Sequence, residues 1–222
     1  MISYIKAEQG LQHSVIYTTN DGRYFRYSKG KRTWRNNNPG NLVSGDISKK
    51  HNQIGVAGGF AVFPNYDTGH SALLDCLKST FGDKSIDQMI KSFAPLEENP
   101  NLLVYKKDLH KQTGVVDSTK IKNFTPQQFE NLWKTIEKWE GWKEGIIVEV
   151  YKVSCTRKNK KNTIAKYCID TIGWIENNEC ISLAKQGKID AAICKSHSGN
   201  SYLRARAHSS LQKNFGHLLE KA

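Results

Sequence analysis

Apolar residues recur at helical spacing through much of the first two thirds of the chain and gather into short, strand-like runs in the last third. Near the start, His13 to Thr19 and Arg23 to Ser28 flank Asn20-Asp21-Gly22, and Asp-Gly favours a tight turn at positive φ, so a β-hairpin is predicted there. A punctuated stretch follows from Gly30 to Gly59, long enough to be functional or to hide short elements. Gly59 to Phe63 then reads as a short strand. Thr68 to Phe81 places Ala72, Leu73, Cys76 and Leu77 on one helical face. Ser85 is an N-cap for a helix over Ile86 to Phe93, which stops before Pro95. Asn99-Pro100 opens another helix, which Gly114 closes. Thr125-Pro126-Gln127-Gln128 supplies a cap, a proline and a capping-box glutamine in order, Phe129, Leu132, Trp133 and Ile136 continue the period through Trp139 or Glu140, and Gly141 is the stop.

Beyond Gly145 the pattern changes. Ile146 to Ser154, Thr163 to Ile169 and Gly173 to Ile175 read as strands, Asn178 to Gln186 as a helix closed by Gly187, and Ile189 to Lys195 and Ser201 to Ala207 as two further strands. The expectation is an α+β chain: a mostly helical N-terminal domain with a β-hairpin over 1–147, then a small ββαββ domain over 148–222. The second part is small enough to lean on the first.

Charge sharpens this division. The 222 residues carry 33 Lys and Arg against 21 Asp and Glu, a formal charge of +12. Residues 148–222 hold 13 of the basic and 6 of the acidic residues, so the shorter part is the more basic. Such an excess suits a polyanionic partner: nucleic acid, anionic lipid or a cell-wall polymer. Six Lys or Arg between Arg23 and Arg35 are interleaved with Tyr24, Phe25, Tyr27 and Trp34, and Arg157 to Lys161 forms a second cluster at a hairpin tip. No run reaches the roughly 18 apolar residues of a membrane span. Met1 to Gly10 has no apolar core of a secretory signal. The five cysteines form no CxxC pair, so no zinc site is expected, and their odd number leaves at least one thiol free in a monomer.

Four motifs carry a resemblance. RTWRNNNPGNL at 32–42, GGFAVFPNYDTG at 58–69, FAPLEEN at 93–99 and EKWEGW at 137–142 together resemble a lysozyme-like, peptidoglycan-degrading domain of phage virion proteins and bacterial secreted effectors, over about 13–147. The resemblance implies cleavage of a glycan strand, of the muramidase or lytic transglycosylase type. It implies no metal and no cofactor. Many such enzymes place a catalytic Glu ten to fifteen residues before the Asn-Asn element, a window that here holds only Asp21. The C-terminal residues, about 148–218, resemble a small bacterial domain of unknown function, which implies a compact fold and no activity.

Glycoside cleavage needs a proton donor with a raised pKa and usually a second carboxylate. Glu140 stands between Trp139 and Trp142 at a helix C-terminus, where apolar surroundings and the macrodipole both favour the protonated form. Glu98 matches the acidic residue that follows Ala-Pro in the family, with Glu97 beside it, and is the expected charge partner. Arg35, Asn36, Asn37, Asn38 and Asn41, with Trp34 and Trp142, are the expected groove residues, because amides address hydroxyl and N-acetyl groups. The same asparagines can instead tie a loop together. Asp67 fits a turn and helix cap, and His51 and His70 are acid or base groups without an evident partner. Cys76 represents an amidase reading, although it falls in the middle of a helix. The alternative from another class is a non-catalytic binder of anionic polymer, with cell wall a better partner than nucleic acid. A cognate immunity or secretion-apparatus protein is a further expected partner. The expected route is synthesis in the cytoplasm and delivery to a bacterial periplasm by a phage or a specialised secretion system.

Overall fold

The Asp-Gly hairpin forms where the sequence places it, and a larger sheet grows around it. In the computed structural model, which describes residues 2–94, 101–116, 118–197, 199–206, 209 and 211–218, the hairpin consists of β2 (Val15–Thr19) and β3 (Tyr24–Ser28). Gly22 sits at φ 84° in the turn, and Thr19 Oγ1 donates to Asp21 Oδ1 at 2.5 Å. An unforeseen first strand, β1 (Tyr4–Gln9), pairs antiparallel with β2. Gly55–Ala57, inside the long punctuated stretch, forms β4 and lies parallel to β1 with Ala7 opposite Gly55. The next strand in the chain is β5 (Phe60–Val62). After it, β6 (Ile146–Val150) pairs antiparallel with β3, with Tyr24 opposite Val150.

This corrects the expected fold class. The N-terminal region is not a mostly helical domain with one hairpin; it contains a large six-stranded sheet, and about 26% of the described residues are strand and 37% helix. The reason is physical. The added strands are short or weakly alternating: β1 carries Lys6 and Glu8 on exposed or half-exposed positions, and β4 has only three residues, the first of them a glycine. Their stability comes from partners distant in sequence, which local periodicity does not encode.

The chain divides into two compact units, one of Met1–Gly30, Ile54–Gly58 and Gly145–Ala222, the other of Lys31–Gln53 and Gly59–Glu144. Five sheet strands, in the order β4-β1-β2-β3-β6, belong to the first unit. The same unit holds β7 (Val153–Lys158), β8 (Ile164–Ile169) and β9 (Gly173–Glu176), which form an antiparallel three-stranded sheet. Helix α7 covers Asn177–Lys185, and β10 (Ala191–Lys195) pairs with β11 (Ser201–Ala205). The C-terminal order is therefore βββαββ in two separate sheets rather than ββαββ: the segment read as one strand over Ile146 to Ser154 divides into β6 and β7, and the short Gly-Trp-Ile-Glu segment read as a strand forms β9. Ala207, the expected end of the last strand, lies outside the described residues. Val153, Tyr167, Ile169, Cys180, Leu203 and Phe215 form the core here, and Ile16, Val150 and Leu211 form a second cluster in the same unit.

A buried ionic network joins distant segments of this unit. Asp190 is fully buried. Its carboxylate accepts from Arg26 Nη2 at 2.8 Å, from Arg206 Nε at 3.3 Å and from the backbone N–H of Leu11 at 3.4 Å. Arg206 also pairs with Glu8 at 2.8 Å. Residues 1–30 thus supply charge partners to a carboxylate near the chain's other end, which gives the expected support for the small C-terminal part a specific form.

The second unit is helical. Its elements are α1 (Arg32–Arg35), α2 (Asp46–Lys50), α3 (Tyr66–Asp75), α4 (Ile86–Phe93), α5 (Leu102–Thr113) and α6 (Pro126–Glu140). Two of them, α1 and α2, were hidden in the long punctuated stretch. Ser85 and Thr125 cap α4 and α6 through reciprocal bonds with Gln88 and Gln128. Helix α3 begins at Tyr66 rather than Thr68, because the Asn65 side chain accepts from Thr68 N and serves as its cap. It continues into a wider π-type turn over Cys76–Thr80. The Asn99-Pro100 start of α5 lies outside the described residues; Gly114 at φ 65° ends that helix as expected. Leu73, Leu77, Met89, Leu109, Leu132 and Ile136 anchor the core. No helix among the described residues is long and apolar enough to cross a membrane.

Candidate functional site

Helix α6 delivers the motif Glu137-Lys138-Trp139-Glu140-Gly141-Trp142 at its C-terminal end. Gly141, at φ 75°, leaves the helix while its N–H still donates to Glu137 O at 2.9 Å. Trp139 is fixed: its indole N–H donates to Asp108 Oδ2 at 2.8 Å and its ring stacks on Tyr105 with centroids 4.8 Å apart. Trp142 stays exposed and meets Tyr66 edge-on at 5.1 Å.

The Asn-rich loop is held against this helix end. Lys31 N donates to Lys143 O at 2.9 Å, and the Thr33 hydroxyl donates to Gly141 O. Within the loop the three consecutive asparagines are buried and bond to backbone. Asn36 Nδ2 donates to Ala61 O at 3.3 Å and Asn37 Nδ2 to Phe63 O at 3.2 Å. Asn38 donates to Leu42 O at 2.8 Å and to Ala61 O at 3.0 Å, and accepts from Leu42 N at 2.9 Å. A Cβ on Gly69 would come within 1.9 Å of Asn37 O, so α3 can approach the loop only with glycine there. Asn38→Ala is accordingly expected to destabilise the protein by about 1–3 kcal/mol, since buried backbone groups lose their partners. A chemical-denaturation midpoint measures this, and an unchanged midpoint would contradict the bracing role.

Asn41 differs from its neighbours. Its amide Nδ2 donates to Glu140 Oε2 at 2.6 Å, while its Oδ1 accepts from Arg32 Nε at 3.1 Å. The Arg32 guanidinium lies 3.6 Å from the centroid of the Phe60 ring. Burial pushes the Glu140 carboxyl above its ordinary pKa; the Asn41 bond and the charges of Arg32 and Lys31 pull it back without cancelling the rise. This is the direction a proton donor requires.

One turn earlier on α6, Glu137 is gripped from α3. The Tyr66 hydroxyl donates to Glu137 Oε2 at 2.9 Å, and His70 Nδ1 lies 2.8 Å from Oε1. Tyr66 and His70 are stacked at 5.6 Å, and burial together with the Glu137 bond raises the Tyr66 pKa to about 12. Glu137, Tyr66, Trp142 and Pro39 line a pocket of about 340 Å³. Residues three apart on a helix are neighbours, with Cβ atoms roughly 5–6 Å apart, so the two carboxyls share one end of the helix.

The expected site residues thus separate. Glu140, Asn41 and Trp142 are brought together; Asn36, Asn37 and Asn38 brace the loop; Trp34 is buried and Arg35 half-buried. Glu98 and Glu97 lie outside the described residues. Asp67 is exposed in the first turn of α3, and His51 pairs with Asp75 at 2.8 Å. Burial raises the Cys76 thiol, opposite to what a thiolate nucleophile needs. Glu137 and Tyr66 were missed, while His70, read from the sequence as an acid or base group without a partner, finds one in Glu137. The spacing of two glutamates three apart in EKWEGW was the available signal, along with Tyr66 and His70 four apart on the facing helix.

Among the described residues no group of three or more His, Cys, Asp or Glu side chains is placed to hold a metal ion. The basic clusters are also partly spent on structure: Arg26 is buried on Asp190, Arg23 pairs with Asp21 at 3.0 Å, and Arg157 lies over the Trp174 ring at 4.6 Å.

Fold and site define an α+β protein of two units, with a half-buried glutamate and an aromatic-flanked pocket in the helical one. Residues 152–219 match a family described as protein of unknown function (DUF3892), which places a small domain of that family at the C-terminal end. No curated protein matches the chain.

Proposed function

We propose that the protein cleaves the glycan strand of peptidoglycan, by water or by internal transglycosylation, with Glu140 as the acid. The observation that carries this reading is the Glu140 carboxyl, raised by burial and oriented by Asn41, on the same helix end as Glu137, which lines a pocket with the exposed Trp142. In this mechanism Glu140 protonates the glycosidic oxygen while the sugar ring acquires positive charge. Glu137, one turn away on the same helix and held by Tyr66 and His70, is the second carboxyl group. It takes the role that the family resemblance gives to Glu98. Trp142 and Tyr66 offer ring surfaces to the sugar. The proposed site of action is a bacterial periplasm, reached by phage or specialised secretion.

The experiment is mass spectrometry of purified sacculi digested by the full chain. New reducing ends identify hydrolysis and anhydro ends identify transglycosylation. Peptide cuts without new sugar ends, or no soluble product, would overturn the proposal. Saturable, steeply salt-dependent binding without product would instead establish the binder of anionic polymer that the +12 charge suggests.

A further inference from the structure

The first unit contains a larger cavity that the proposed chemistry does not use. It has a volume of about 560 Å³ and lies between β8, the start of α7 and the β10–β11 hairpin. Ile164, Tyr167 and Leu203 contribute apolar lining, and the last two are almost completely buried. Asn159, Asn177 and Tyr202 add polar groups, with Tyr202 42% exposed.

Two features specify what this cavity accepts. The first is Asn177. Its Nδ2 donates to Ser201 O at 3.2 Å, but its Oδ1 is buried without a hydrogen-bond partner. A buried acceptor with no donor is costly, and a ligand N–H or O–H would relieve it. The second is charge. The C-terminal part has 13 basic and 6 acidic residues, yet among the described residues no Lys or Arg lines the cavity. Its one charged lining residue, Glu176, is neutralised by Lys166 at 2.7 Å. A site for phosphate or another anion would recruit the abundant cations, and this one excludes them.

We infer that the cavity is a binding site for a neutral saccharide, of which an N-acetylhexosamine is the best-fitting unit. Such a ring carries hydroxyl and acetamido donors for Asn177 Oδ1 and a C–H face for Tyr202, and the volume lies within the range of small-ligand sites. The choice of an N-acetylated sugar rests on the peptidoglycan reading; the neutrality of the ligand and its need for a donor do not.

The test is calorimetric titration of the full chain carrying Glu140→Gln with di-N-acetylchitobiose. Inorganic phosphate and a neutral tripeptide serve as comparison probes. Saturable binding of the saccharide is expected, weakened about tenfold or more by Asn177→Ala and by Tyr202→Ala. Tyr202 is exposed, so its variant keeps the test valid if Asn177→Ala fails to fold. No saccharide binding, binding unaffected by the variants, or preferential binding of phosphate or peptide would overturn the inference. Saccharide binding at this cavity together with no cleavage of sacculi by the unmodified chain would defeat the proposed function and leave this inference intact.

Discussion

Asp190→Ala is expected to cost the first unit about 3–5 kcal/mol, the scale for removing one partner of a buried ion pair. The substitution strands Arg26, whose side chain is 9% exposed and whose charged form burial already disfavours. It also frees the Leu11 N–H and removes one of the two carboxylates that Arg206 bonds, leaving it Glu8. Because the network ties residues 8, 11 and 26 to residues 190 and 206, its loss should loosen the N-terminal sheet and the C-terminal part together. Urea unfolding, followed by hydrogen exchange in β3 and β10, reads both effects. Combining Asp190→Ala with Arg26→Met should recover much of the loss, since an uncompensated charge is more costly than an apolar replacement. A single-variant loss below about 1 kcal/mol, in the range of exposed pairs, would show that the network does not join these segments.

Glu140→Gln is expected to reduce glycan cleavage by about 10²–10⁴-fold, the usual contribution of a positioned general acid. The same variant should be more stable than the wild type near pH 7. Glu140 has a folded-state pKa raised by burial, so its stabilising contribution is present below the ordinary glutamate pKa and is lost as pH rises through the folded value. Glutamine keeps an acceptor for Asn41 and never ionises. Its stability advantage should therefore shrink as pH falls below about 4. Thermal melting at pH 4 and pH 7, paired with product analysis, checks both halves. A less stable variant at pH 7 would contradict the burial argument, and undiminished cleavage would remove Glu140 from the mechanism. On the proposed mechanism, the rate should fall as pH rises and Glu140 loses its proton. Asn41→Ala should move that fall to higher pH, because the Asn41 bond favours the charged form.

The site was partly legible before the fold was known. Glu140 between two tryptophans at a helix end pointed to a raised carboxyl, and Trp142 pointed to an open face. Three asparagines in a row suit bracing a loop as well as binding a sugar. Their amides bond to Ala61, Phe63 and Leu42, whereas Asn41, two residues past Pro39, reaches Glu140. Nothing local distinguishes Asn38 from Asn41, since the difference lies in which atoms a folded loop brings near each amide. Glu137 escaped notice for a related reason: its meaning comes from Tyr66 and His70, more than sixty residues away.

By itself, the sequence determined the elements whose signals are local: the Asp-Gly hairpin, the Ser85 and Thr125 caps, the ends at Gly114 and Gly141, and the change of pattern near Gly145. Those signals arise from backbone conformation and from hydrogen bonds spanning three or four residues, so they survive without any tertiary partner. Only the tertiary structure decided that β1, β4 and β6 extend the hairpin into a sheet, that residues 1–30 share a unit with 145–222, and that Glu137 accompanies Glu140. Each of these depends on pairing between segments far apart in the chain, where the free energy comes from ladder bonds, burial and charge neutralisation that no single segment contains.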